Sequence, residues 1–270
     1  MAPVMDSIVP PKLASHFRAA KSSRLLTATN VDDAGSGWLL VRLLGDWIRL
    51  CAGPAGDGKS DIAVVVFSLY RDFDFYAAGL SQFGIDLRRH ETNGHFKFIG
   101  GIHAKLLGES PSLTIDAALD LLSDEVELLK QSYSRTVLLL DSPELALTLV
   151  SENPHDASSD WLTLLQGVIH QFHHTIVAMS LDSPRMGRTR HEFEQAMARV
   201  SSVKALGHKA DMSMVLRHYQ TQNSKTDGTI RISYTRQFEA SGLNVSGDEE
   251  TFGYQILADG RTVTIDGPSL

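Results

Sequence analysis

Between Arg24 and Leu181 the chain alternates short, unbroken apolar runs with longer stretches whose apolar residues recur every three or four positions. Arg24–Asn30 (RLLTATN), Ile62–Ser68 (IAVVVFS), Thr136–Asp141 (TVLLLD) and Thr175–Leu181 (TIVAMSL) are of the first kind. Apolar runs this short, without alternation, read as strands buried on both faces, as in the middle of a parallel sheet. Phe96–Ile99 adds a shorter strand. The second kind predicts helices at Trp38–Leu50, Asp72–Phe83 (ended by Gly84), Thr114–Lys130, Glu144–Val150, Trp161–His173 and His191–Val203. In the third of these Thr114 is the N-cap, and Ile115, Ala118, Leu119, Leu122, Val126 and Leu129 form one buried face. Strand alternating with helix is the pattern of βαβ units. From about Met212 the pattern changes. Thr229–Thr235 (TIRISYT) alternates strictly, and Phe252–Leu257 and Arg261–Ile265 flank Asp259-Gly260, a hairpin signal. The expectation is an α/β fold with a mostly parallel sheet flanked by helices and antiparallel hairpins at the C-terminus. It forms a single domain over residues 24–270, β-rich from about 210, after an N-terminal arm of residues 1–23.

Composition narrows the function classes. A chain of 270 residues, 43% hydrophobic, can bury a core, and a formal charge of −7 removes any overall attraction to nucleic acid or anionic membrane. An RNA partner would have to meet a local basic patch. Cys51 is the only cysteine, so neither an intrachain disulfide nor a cysteine-rich zinc site is available. The N-terminal stretch MAPVMDSIVPPKLASHF lacks the apolar core of a secretory signal, and no segment approaches the roughly 20 apolar residues of a membrane span. These features predict a soluble intracellular protein.

The sharpest string is Gly53-Pro54-Ala55-Gly56-Asp57-Gly58-Lys59-Ser60, which matches the phosphate-loop pattern GxxxxGK[ST] at every fixed position. Its chemistry requires the loop to follow a strand and open a helix, so that backbone N–H groups and the helix dipole converge on phosphates. Here a predicted helix precedes the motif and a predicted strand follows it. The position a phosphate loop would need belongs to Val31–Gly37 (VDDAGSG), which has no lysine and carries two aspartates that would repel a triphosphate. Asp141 ends a buried strand, where the corresponding aspartate of a P-loop NTPase holds magnesium. It also reads as the cap of the helix that Pro143 opens. Nucleotide binding through Gly53, Gly58, Lys59, Ser60 and Asp141 is thus the alternative reading, and no catalytic residue, metal site or cofactor is assigned.

Weaker constellations remain. His170, His173 and His174 fall at helical spacings and read either as a metal-binding face or as helix-end histidines. Serine, histidine and aspartate are present, but no GxSxG elbow accompanies them. The loop after Thr175–Leu181 carries Arg185, Arg188 and Arg190, with no carboxylate between Asp182 and Glu192. Arginines at the carboxyl edge of a sheet suit phosphate recognition, and the alternative is a solvated loop.

The run SPELALTLV after an acidic strand end, in an NTPase-like strand order with an empty phosphate loop, resembles the family of sixth subunits of the Elongator complex. The likeness is strongest over Thr136–Val150 and extends more loosely from Arg24 through Ser183, including RLLTATNVDDAGSGWLLVRLL. It implies a RecA-like fold lacking the residues for ATP hydrolysis. It further implies a hetero-hexameric ring with two related subunits, the fourth and fifth, joined to the catalytic part of Elongator. Such a ring would bind tRNA and support wobble uridine modification, in the cytoplasm or nucleus and away from membranes, and the basic loop with Arg185, Arg188 and Arg190 is this chain's own candidate for the RNA contact. The string Gly53–Ser60 departs from the family. Two other readings stay open: an active P-loop ATPase, and a free-standing binding module without a ring.

Overall fold

The computed structural model describes residues 8–31, 34–51, 61–100, 115–148, 154–181, 190–218, 226–235, 249–257 and 262–268. Among the described residues nine strands form one sheet in the order β3-β2-β4-β5-β1-β6-β7-β8-β9. Their bounds are β1 Leu25–Val31, β2 Ile62–Ser68, β3 Phe96–Ile99, β4 Arg135–Asp141, β5 His174–Leu181, β6 Met212–His218, β7 Gly228–Tyr234, β8 Glu250–Ile256 and β9 Val263–Pro268. The helices are α1 Ala14–Ala20, α2 Gly37–Cys51, α3 Phe73–Ser81, α4 Leu87–Thr92, α5 Ile115–Ser132, α6 Pro154–Ile169 and α7 Arg190–Lys209, with 3-10 turns at Pro11–Leu13 and Pro143–Thr148.

The first six strands of that order run parallel and the last three pair antiparallel. The expected α/β architecture is therefore present, including the C-terminal β8–β9 hairpin, whose Asp259-Gly260 turn lies outside the described residues. The central strands are buried on both faces because each carries side chains for two cores. Val64, Val66, Val137 and Leu139 pack with α1, α2 and α3, whereas Val65, Phe67, Leu138 and Leu140 pack with α5, α6 and α7. Each such side chain contributes about 1.5–3 kcal/mol of burial.

Several boundaries differ from the sequence reading. The antiparallel part begins at β7, because β6 pairs in parallel with β1. β6 misleads by its pattern: only alternate residues are buried, since one of its faces is sparsely covered. Residues 8–23 do not form a separate arm, because Ile8, Leu13 and Phe17 lie in the main core. α6 starts at Pro154, seven positions before Trp161, in a polar stretch without an apolar period. The predicted helix after β4 is, in its described part, a 3-10 turn over Pro143–Thr148. Gly84 stops α3 as expected, with φ +70 in the region glycine adopts without strain.

Candidate functional site

In an open parallel sheet the functional edge lies at the carboxyl ends of the strands. There β4, β5 and β1 lie side by side, with Asp141 at the end of β4 and the β1–α2 turn two strands away. β1 leads into α2 through Ala34, Gly35 and Ser36, whose carbonyl accepts from the N–H groups of Leu39 and Leu40. Strand, lysine-free loop and helix thus follow in the predicted order. Asp32 and Asp33 lie outside the described residues. So do Gly53, Gly58, Lys59 and Ser60, which fall between the end of α2 at Cys51 and the start of β2 at Ile62. The next described element after them is a strand, which is the arrangement the sequence order implied.

Asp141 is buried, and its carboxylate is fully engaged by protein donors. Oδ1 accepts from Arg71 Nη1 at 2.5 Å and from Ser142 Oγ at 3.1 Å, while Oδ2 accepts from Tyr76 OH at 2.8 Å and Ser68 Oγ at 2.9 Å. A carboxylate offers about four lone-pair sites, so nothing remains for a metal ion unless a donor is displaced. The residues therefore do not fit a magnesium site: a guanidinium supplies the positive charge that a metal would bring. Nor does Asp141 act as a helix cap, because its oxygens point to β2 and α3 rather than to the turn at Pro143. Burial and then the Asp141 charge push the Tyr76 phenol well above its usual range, which keeps it a donor.

The elements that deliver these groups are specific. Ser68 ends β2, and its hydroxyl also accepts from Arg71 N at 2.8 Å, turning the chain so that Arg71 faces Asp141. Asp72 then caps α3 by accepting from Phe75 N at 2.9 Å, which places Tyr76 one turn inside the helix. Ser142 has φ +59, an unfavourable region for a residue with a Cβ. It is held there by its own N–H on the Ala178 carbonyl at 2.8 Å, by Leu145 N on its carbonyl at 3.1 Å and by its hydroxyl on Asp141.

Beside this network stands a second buried carboxyl. Glu144 Oε1 accepts from Ser180 N at 2.9 Å, and Oε2 is buried without a hydrogen-bond partner among the described residues. Burial above all, with the Asp141 charge adding to it, raises its pKa to about 8, so Glu144 is protonated at neutral pH. Ser68, Arg71, Tyr76 and Glu144 escaped assignment from sequence. The one available signal for Glu144 was a glutamate at the head of an otherwise apolar run.

The three histidines do not share a helix face. α6 ends at Ile169, His170 and His173 lie in the following turn, and His174 opens β5. Each is committed at the amino edge of the sheet. His170 Nδ1 accepts from Arg24 Nη2 at 3.2 Å, His173 Nδ1 from Thr136 N at 3.1 Å and His174 Nε2 from Arg135 Nη2 at 3.0 Å. His174 Nδ1–H donates to the Ser23 carbonyl at 2.8 Å, and burial lowers its pKa. Among the described residues no group of three or more metal-binding side chains is found. Cys51 is buried, with its thiol raised to about 12, and is no nucleophile.

Arg185 and Arg188 lie outside the described residues. Arg190 is the first residue of α7, so the connection that carries them joins the carboxyl end of β5 to that helix. No described helix is long and apolar enough to cross a membrane.

No family model matches the chain, and no curated protein matches it. Among solved structures it is similar to a KaiC-like protein from the hyperthermophilic archaeon Pyrococcus horikoshii OT3, with 14% identity, 88% of each chain covered and a TM-score of 0.51. Identity this low speaks for the fold alone: the chain has a RecA-like α/β fold, with the antiparallel strands β7–β9 at one edge of the sheet.

Proposed function

We propose that this chain is a non-catalytic subunit of the Elongator complex, acting in a ring with the related fourth and fifth subunits that binds tRNA and supports wobble uridine modification. The observation that carries the non-catalytic part is the saturation of Asp141 by Arg71, Tyr76, Ser68 and Ser142. The lysine-free β1–α2 turn supports it. The Elongator part rests on the resemblance over Thr136–Val150, within a RecA-like fold whose flanks suit heterologous contacts that close into rings.

One observation favours a second reading, an active P-loop ATPase: the complete pattern at Gly53–Ser60. Labelled ATP binding to the wild type and to Lys59→Ala separates the two. Neither protein should retain nucleotide, and retention by the wild type alone would overturn the non-catalytic reading. For assembly, co-expression with the fourth and fifth subunits should give a closed hetero-oligomer by light scattering. Species no larger than a heterodimer would count against the ring and leave the chain a free-standing module.

A further inference from the structure

Between α2 and α3 lies an open cavity of about 520 Å³, within the size range of small-molecule sites. Residues with flat side chains are prominent in its lining: Trp38, Phe75, Phe83, Arg42 and Arg71. These groups are ordered by the protein itself. The Arg42 guanidinium lies 5.5 Å from the Trp38 ring centre and 5.2 Å from that of Phe83, and its Nε donates to the Ile8 carbonyl at 2.9 Å. The Arg71 guanidinium lies 5.1 Å from the Phe75 ring centre and is anchored through Nη1 on Asp141. Helix α3 is pressed onto α2 at Gly79, where a Cβ would come within 2.6 Å of the Val41 side chain. Gly35 and Ala78, both small and exposed, are among its lining residues.

Charge is distributed unevenly around this space. Two arginines, Arg42 and Arg71, are among its lining residues, and no carboxylate is among the described ones. Asp141, which balances Arg71, has a side chain that is 0% exposed and sits behind the arginine. Arg71, whose side chain is 15% exposed, is among the lining residues, so part of the guanidinium stays open to an incoming molecule after its bond to Asp141 is made. Aromatic walls select a flat π-system, and a guanidinium at their side selects a carboxylate or phosphate oxygen.

We infer that this cavity is a binding site for a small planar aromatic molecule bearing one anionic group, with the ring held against Trp38, Phe75 and Phe83 and the anion on Arg71. The site uses no residue of Gly53–Ser60 and does not depend on ring assembly, so it stands or falls apart from the Elongator reading.

The test is calorimetric titration of the full chain with 2-naphthoate and with 2-naphthylmethanol, the neutral molecule on the same ring system. Naphthoate should bind at one site, at least about ten-fold more tightly than the alcohol. Ala78→Trp, at an exposed position, should fill the mouth and abolish binding while leaving thermal unfolding unchanged. Arg71→Lys keeps a positive charge for Asp141 but loses the fork, and should weaken naphthoate several-fold without changing the alcohol. The inference is overturned by equal affinity for the two molecules, by no naphthoate binding at millimolar concentration, or by binding that Ala78→Trp leaves intact. Displacement of naphthoate by ATP, with neither molecule bound by Ala78→Trp, would also overturn it, because the cavity would then be a nucleotide subsite.

Discussion

A carboxylate at the end of a buried strand has two stable fates in this fold: it binds a metal and water, or its lone pairs are filled by the protein. Asp141 has taken the second. Its dependence on its donors is therefore steep. Arg71→Ala leaves a buried charge uncompensated and should cost about 3–5 kcal/mol, whereas Tyr76→Phe removes one of four donors and should cost about 1–3 kcal/mol. Urea unfolding of the two variants should rank them in that order, and equal, negligible losses would show that solvent reaches the carboxylate. Glu144 makes a prediction of opposite character. Its folded pKa of about 8 lies above the usual glutamate value of 4.5, so the folded state holds a proton that the unfolded chain releases. The associated stability is fully present below about pH 4.5 and is lost as pH rises to about 8, beyond which the curve is flat. Glu144→Gln should remove this component, seen as unfolding midpoints that no longer fall across that window. An unchanged pH slope in the variant would mean that Glu144 is ionised in the fold.

Among the elements, the site depends on how β2 hands over to α3. Ser68 turns the chain, Asp72 caps the helix, and the cap fixes where Tyr76 and Phe75 project. Asp72→Ala should lower stability by about 1 kcal/mol, the usual effect of removing such a cap. Because the rotational setting of α3 also places a wall of the aromatic cavity, the same variant should weaken naphthoate binding. A drop in stability without any change in binding would show that packing of α3 on α2, not its cap, sets the wall. The amino edge of the sheet shows the converse arrangement, with His170, His173 and His174 spent as acceptors that tie together the starts of β1, β4 and β5.

For the molecule as a unit, a formal charge of −7 makes the position of its cations decisive. The connection bearing Arg185, Arg188 and Arg190 leaves β5 between β4 and β1, at the sheet's carboxyl edge. In the proposed ring, replacing all three by alanine should weaken binding to different tRNAs alike and lower the magnitude of the salt slope, by up to about 0.7–0.9 for each phosphate that the arginines no longer neutralise. Filter binding at several salt concentrations checks this on an assembled ring. Unchanged affinity and slope would assign the connection to solvated surface.

Apolar spacing along the chain is enough to establish the strand and helix order, the mostly parallel sheet and the mismatch between the string Gly53–Ser60 and its place in that order. These follow from burial on one or two faces and from local backbone preference, both of which leave a period in the chain. Spacing could not show that β6 joins the parallel part, because a strand covered on one face alternates whichever way it runs. Nor could it show what Asp141 does. Arg71 and Tyr76 reach that carboxylate from 70 and 65 positions away along the chain, and no local pattern marks which donors will converge. The same holds for the aromatic cavity, whose lining draws on α2, α3, β8 and the chain on either side of α3. Local spacing chose the elements, while the identity of the groups meeting at the sheet's edge was decided by packing.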